Sequence, residues 1–258
     1  MHSTEEKLKA FERLLDIMDE LREKCPWDRE QTLDSLRNLT IEETYELADA
    51  IMDQDLDEIQ KELGDLILHI VFYSKIGSEK GAFDIADVIN GIIDKLVFRH
   101  PHVFGDRKVK DSEEVIENWE ELKMKEGNRS VLAGVPVSLP AMIKSHRIQD
   151  KARAVGFDWD HREQVWDKVI EEIGEVKHEL VNGNQKDKME EEIGDLLFSI
   201  VNAARLYDIE PETALEKTNR KFIKRFKYLE IKAREMGRSL KEMSLEEMES
   251  IWQEAKSI

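Results

Sequence analysis

The chain has 258 residues, 40% of them hydrophobic, which is enough for one large core or two modest ones. Its 57 acidic and 39 basic side chains leave a formal net charge of −18, which excludes a sequence-independent grip on a nucleic-acid backbone. One cysteine, Cys25, excludes an internal disulfide and a cysteine metal cluster, and suits a reducing compartment.

The opening MHSTEEKLKAFERLL is charged and amphipathic and lacks the apolar centre of a signal peptide. No apolar run reaches the roughly 18 residues of a membrane span, so a cytoplasmic chain without membrane contact is expected. Leu8, Phe11, Leu14, Leu15 and Met18 form the apolar stripe of a first helix. CPWDREQT at 25–32 interrupts it. The next helical stretch carries EETYE at 42–46, turns at DQDLD, and continues into KELGDLILHIV at 61–71. Further on come Lys95 and Arg99, four apart, then RHPHVFGD, where Pro101 between His100 and His102 argues for a turn and against a metal site. VIENWEELK brings Trp119. The breakers then cluster in GNRSVLAGVPVSLP at 127–140, predicting a linker between a domain at 1–126 and another at 141–258.

Beyond that linker the order recurs at an offset of about 130 residues. DWDHREQV, EEIGE at 171–175, EEIGDLLFSIV at 191–201, the Lys221/Arg225 pair and Trp252 repeat the first half in register. Leu215, Phe222, Phe226 and Leu229 make another helical stripe, and no strand alternation of any length is present. An all-α fold of tandem duplicated helical modules follows. The tryptophan motifs CPWD and GFDWD are expected to pack the starts of helices.

Glu172 and Glu175 are three residues apart on one helix, as are Glu192 and Asp195 on the next, with Asn182, Gly183 and Asn184 turning between them. Antiparallel packing brings the two acidic pairs face to face. Glu43, Glu46, Glu62 and Asp65 do the same in the first half. Each like-charge pair at ~4 Å costs about 4 kcal/mol at an effective dielectric of about 20, so such a site takes up protons or cations. A lone Glu-x-x-Glu in so acidic a helical chain usually marks a solvated face. Here the acids occur twice and lead into near-continuous apolar runs, Leu66 to Val71 and Leu196 to Val201, which read as buried helices. Oxygen donors without cysteine predict Mg²⁺, with Mn²⁺ as a substitute. A di-iron bundle needs two Glu-x-x-His motifs; Glu175 and His178 supply one, but Asp49 stands at the matching position of the first half.

EExxE followed some 16 residues later by ExxD, together with CPWDREQT, RHPHVFGD, VGFDW and EEEIGDLLFSIVN, resembles the MazG-like nucleotide pyrophosphohydrolases in their two-domain form, over nearly the whole chain. The resemblance implies four-helix cores, a homodimer, and Mg²⁺-dependent hydrolysis of nucleoside triphosphates to monophosphate and pyrophosphate. It places metal ligands at Glu172, Glu175, Glu192 and Asp195, and at Glu43, Glu46, Glu62 and Asp65. Lys188, Lys221 and Arg225, and Lys95 and Arg99 in the first half, fall where phosphates are held, and Trp252 where a base stacks.

The residues support that chemistry independently. A magnesium triphosphate needs anionic ligands for the metal and cations for the remaining phosphate oxygens. Lys188 lies one turn before Glu192, and Lys221 with Arg225 forms a two-pronged cationic clamp. Water made acidic by a metal attacks phosphorus without a side-chain nucleophile, and Glu171 is a candidate base. Four residues before Glu62 stands Glu58 where the second half has Lys188, so the second half is expected to carry most of the activity. Broad housekeeping removal of canonical or aberrant triphosphates is the leading reading. Its rivals are an enzyme restricted to dUTP, dCTP or phosphoribosyl-ATP, and a non-catalytic Mg²⁺-binding scaffold.

Overall fold

The structure, a computed structural model, describes residues 1–111, 114, 115, 118, 119, 122, 130–182 and 185–256, the side chain of Asn182 excepted. Among the described residues there is no strand. The fold divides into two compact units, Met1–Val109 and Lys110–Ile258. The stretch 127–140 falls within the second, and its residues 127–129 lie outside the described set.

The first unit contains α1 (Thr4–Lys24), α2 (Pro26–Glu30), α3 (Leu33–Asp53), α4 (Leu56–Glu79), α5 (Ile85–Arg99) and α6 (Pro101–Phe104). Local signals set these bounds. Ser3 and Glu6 close a capping box on α1, and Thr32 and Ser35 do so on α3. Gln54, in the left-handed region at φ 56°, ends α3, and the Asp55 carboxylate accepts from the first amides of α4. So short a turn returns α4 antiparallel along α3. The core between them and α1 is continuous. Met18, Leu36, Val71, Phe72 and Ile76 are buried, with Phe11, Leu14, Leu15, Leu39, Leu68 and Tyr73 packed on them. A polar trio is sealed in beside it: the Thr40 hydroxyl bonds His69 Nδ1 at 2.8 Å and the Tyr73 hydroxyl at 2.7 Å. That pairing satisfies a buried histidine.

The second unit contains α7 (Ala141–Arg153), α8 (Val165–Asn182), α9 (Lys186–Leu206), α10 (Pro211–Glu235) and α11 (Leu245–Ala255). Here α8 and α9 are the antiparallel pair, α7 lies against α9 and α10, and α10 carries α11. The core is split. Val165, Val169 and Ala203 form one cluster with Leu196 and Leu206. Leu229, Ala233, Met243 and Ile251 form another.

The runs after Glu62 and Glu192 are not buried all round, contrary to the sequence expectation. Ile67, Ile70, Leu197, Phe198 and Ile200 are 43–50% exposed. Within their own units α4 meets α1, α3 and α5, and α9 meets α7, α8 and α10, and these neighbours leave part of each helix surface uncovered. For α5 the same holds more strongly: none of its side chains is buried, and Val88, Ile89, Ile92, Ile93 and Leu96 form an exposed apolar face. No described helix is long and apolar enough to cross a membrane.

Candidate metal and nucleotide site

In each unit the helix pair brings acids together. Carboxylate oxygens of Glu172, Glu192 and Asp195 lie within 4.8 Å of one another, and so do those of Glu43, Glu62 and Asp65. The fourth expected ligand of each set stands beside its cluster. Glu175 is close enough to Glu172 and Glu192 for their charges to raise its carboxyl, and Glu46 exerts the strongest charge effect on Glu62. Glu62 and Glu172 are the buried members, at 5% and 4% exposure, and the Oε2 of each has no hydrogen-bond partner. A buried carboxylate oxygen without a donor is costly unless a cation meets it. Clustered hard oxygen donors with such orphaned atoms fit Mg²⁺ or Mn²⁺.

The electrostatics say the same. Burial, and then the charges of Glu46, Glu43, Glu58 and Asp65, push the Glu62 carboxyl above its ordinary 4.5. Glu175 is pushed up by desolvation first, and then by the close approach of Glu172 and the charge of Glu192. A carboxyl raised in the fold stabilises it most below its ordinary pKa, and that contribution is lost as pH rises through the raised value. In metal-free protein, Glu62→Gln is therefore expected to raise the melting temperature at about pH 8 and to lose this advantage toward about pH 4. If the cluster takes up Mg²⁺, millimolar Mg²⁺ is expected to restore the wild type to parity. Thermal scans across pH with and without Mg²⁺ check this; an advantage that is flat with pH removes it.

The second cluster has a lysine bonded to one of its acids, and among the described residues no ion pair of that kind is seen on Glu43, Glu62 or Asp65. Lys168 Nζ lies 2.8 Å from Glu172 Oε1 and 3.0 Å from Glu171 Oε1, and these bonds hold its ammonium well above the ordinary lysine range. The corresponding residue of the first unit is Leu39.

Beside the second cluster opens a cavity of about 860 Å³, within the range of small-molecule sites. Glu172, Asp195 and Lys168 stand in its wall, with Phe157, Trp159, Phe198, Ile148 and Leu132 as apolar lining and Ser199, Asn202, Gln149, Asp158 and Arg205 as polar lining. Arg205 is 5% exposed and bidentate on Asp158, with Nη1 3.0 Å from Oδ2 and Nη2 on Oδ1. The first unit offers beside its own acids a pocket of about 250 Å³, lined by Glu46, Asp49, Asp53, Asp55, Glu58 and Glu62 around Ala50. Anionic phosphate is repelled there.

The repeat explains the difference. The register of EETYE on EEIGE pairs Leu36, Leu39 and Thr40 with Val165, Lys168 and Val169. The register of KELGDLILHIV on EEIGDLLFSIV pairs His69, Phe72 and Tyr73 with Ser199, Asn202 and Ala203. Large side chains that fill the first core thus become small or polar ones in the second, and the space opens.

A family model for the MazG nucleotide pyrophosphohydrolase domain matches residues 31–104 and 161–229, spanning both acid-bearing helix pairs. This chain belongs to the MazG nucleotide pyrophosphohydrolase family. Among the described residues it is all-helical in its regular elements, the domain is present twice in tandem, and the chain is a hydrolase of phosphorus anhydrides. It is 43% identical over 257 residues to a nucleoside triphosphate pyrophosphohydrolase of Escherichia coli, covering 96% of this chain and 98% of that one. It is 42% identical over 251 residues to the nucleoside triphosphate pyrophosphohydrolase/pyrophosphatase MazG of Thermotoga maritima, covering 95% of each. A solved structure of a mazG-related protein from Thermotoga maritima aligns with 44% of this chain and 98% of its own, at 29% identity and a TM-score of 0.40.

The remaining candidates of this MazG family member fall outside the cavity wall. Lys188 is exposed near the start of α9. Lys221 is exposed on α10, one turn from Arg225, whose guanidinium lies 5.9 Å from the Trp252 ring centre. Trp252 is half-buried with its ring centre 5.0 Å from that of Phe222. Lys95 is exposed on α5 and Arg99 half-buried at its end. Glu171 is exposed and tied to Lys168. Two features escaped the sequence reading. Lys168 precedes Glu172 by four residues, a spacing that signals an ion pair. Trp159, expected to pack a helix start, stands in the cavity wall.

Proposed function

We propose that the second unit hydrolyses nucleoside triphosphates to the monophosphate and pyrophosphate, with Mg²⁺ as its cation and Mn²⁺ as a substitute. The observation that carries this reading is that Glu172 and Asp195 belong both to the acid cluster and to the wall of the large cavity. A ligand whose phosphates sit at the acids therefore has its nucleoside beside a chamber of suitable size. Glu172, Glu175, Glu192 and Asp195 would hold the cation, which supplies charge neutralisation at the phosphate oxygens and a water acidic enough to react near neutral pH.

The chain's own groups do the rest. Lys168, held at the acids by Glu171 and Glu172, gains phosphate oxygens as further acceptors when a triphosphate enters. Lys188, Lys221 and Arg225 are phosphate contacts in this reading, and Glu171 is the proton acceptor. The apolar part of the wall accepts the face of any base, which accords with broad base use and a housekeeping role in the cytoplasm, while the polar part can grade one base against another. Glu43, Glu46, Glu62 and Asp65 bind the cation without turnover, because the neighbouring pocket is acidic and the matching chamber is filled. Lys95 and Arg99 are then left without a substrate to grip. The exposed apolar face of α5 favours a homodimer, since a patch of this kind on a soluble chain marks a contact surface.

The test is incubation of the full chain with each common ribo- and deoxyribonucleoside triphosphate and Mg²⁺, followed by assay of monophosphate and pyrophosphate. Release from several bases, abolished by a chelator, is the expected result. Release from one base alone replaces broad use by a restricted enzyme, and release from none overturns the reading.

A further inference from the structure

We infer that Asn202 reads the edge of the substrate's base, its Nδ2 donating a hydrogen bond to an oxo group, with Arg205 and Asp158 holding that amide in place. This rests on the proposed triphosphate activity and specifies its selectivity.

The orientation of the amide is fixed by charge. Arg205 Nε and Nη2 lie 3.1 and 2.8 Å from Asn202 Oδ1. A guanidinium only donates, so the amide oxygen must face it and the NH₂ group must face away. Arg205 cannot turn, because it is buried and its other donors are bound by Asp158. Asn202 stands in the cavity wall, and among the described residues no acceptor bonds its Nδ2. The amide is therefore a preset donor in that wall.

The other polar groups of the wall are less suited. The Ser199 hydroxyl donates to the Leu196 carbonyl at 2.8 Å. Gln149 Nε2 is spent on the Phe198 carbonyl at 2.9 Å, and its unpartnered Oε1 has no accessible surface for a ligand to touch. Asn202 is only half-buried.

Position agrees. Asp195 and Asn202 are seven residues apart on α9, so they share a face and are separated by about 10 Å of helix rise. That is the reach of a nucleoside whose phosphates lie at Asp195. The first unit supplies a contrast: Phe72 occupies the matching position, buried at 2%, and presents no donor. Placing the base here leaves Trp252 to its packing on Phe222.

The test compares kcat/KM within the pairs dUTP and dCTP, and ITP and ATP, each differing by an oxo or amino group at one position. The wild type is expected to favour the oxo member. Asn202→Asp keeps an oxygen for Arg205 and turns the cavity-facing donor into an acceptor, so the ratio should move toward the amino member by about three- to tenfold. Asn202→Ala should bring both ratios close to one, and it carries the test if circular dichroism shows that Asn202→Asp does not fold. Ratios unchanged by folded variants that still release pyrophosphate overturn the role of Asn202 and leave the activity standing. A wild type that releases none from any triphosphate overturns the activity, and this inference with it.

Discussion

Glu172→Gln should lower pyrophosphate release by at least about a hundredfold, and Glu43→Gln by no more than about twofold. The two glutamates hold equivalent places in the repeat, and each lies in a cluster of carboxylates within 4.8 Å. What separates them is their surroundings. Glu172 is bonded by Lys168 and stands in the wall of a chamber of about 860 Å³. Glu43 has Leu39 one turn before it, and the matching space beyond is occupied by Phe72, Leu68 and Met18. In the proposed reaction, neutralising one charge among the second acids would remove a cation ligand at the place assigned to the substrate. The same change in the first unit alters a cluster whose neighbouring pocket is about 250 Å³ and lined by further acids. Steady-state release of pyrophosphate at saturating Mg²⁺ decides the matter, and equal losses in the two variants would refute the division of labour.

The second large effect is on folding. Asp158→Ala should destabilise the second unit by about 3 kcal/mol, the cost of leaving a buried arginine without its counterion. Arg205 has 4% side-chain exposure and Asp158 18%, so the residual solvent contact of Asp158 keeps the loss at the lower end of that range. Burial by itself would raise the Asp158 carboxyl. The bonds from Arg205 and the Trp159 amide, with the charge of Arg153, outweigh it and bring it below its ordinary 3.8. A depressed carboxyl contributes its full stability above its ordinary pKa and loses it as pH falls through the depressed value. The difference between Asp158→Ala and wild type in chemical denaturation should accordingly be flat above about pH 5 and narrow in stronger acid. A loss under about 1 kcal/mol would show that Arg205 is solvated without its partner.

Much of this was legible in the sequence. Helices announced themselves by three- and four-residue spacing, and the DQDLD turn by its composition, since Asp55 does cap α4. The acidic pairs were legible because an i,i+3 spacing fixes a shared face whatever surrounds it. The chamber was not, because it is made by what three helices leave unfilled. Ser199, Asn202 and Ala203 look unremarkable in FSIVNAARL until set beside His69, Phe72 and Tyr73 in the same register. Lys168 was hidden differently: its spacing from Glu172 was plain, but lysines one turn from glutamates abound in a chain that is 37% charged. The apolar runs misled for a third reason. Hydrophobic character on all sides of a helix does not fix how many neighbours cover it, and Ile67, Ile70, Leu197, Phe198 and Ile200 stay 43–50% exposed.

The hollow in the second unit has a mechanical consequence. Side chains that face an unfilled space have attractive neighbours on one side only, so this half of the protein surrenders cohesion that the first half keeps. Its interior is completed by whatever moves in. A molecule of the right outline, arriving at sufficient concentration, acts there as a missing piece of the core and stiffens the helices around it. Resistance of this half to unfolding would then rise with the supply of that molecule, whereas the apolar core of the other half is completed by its own residues.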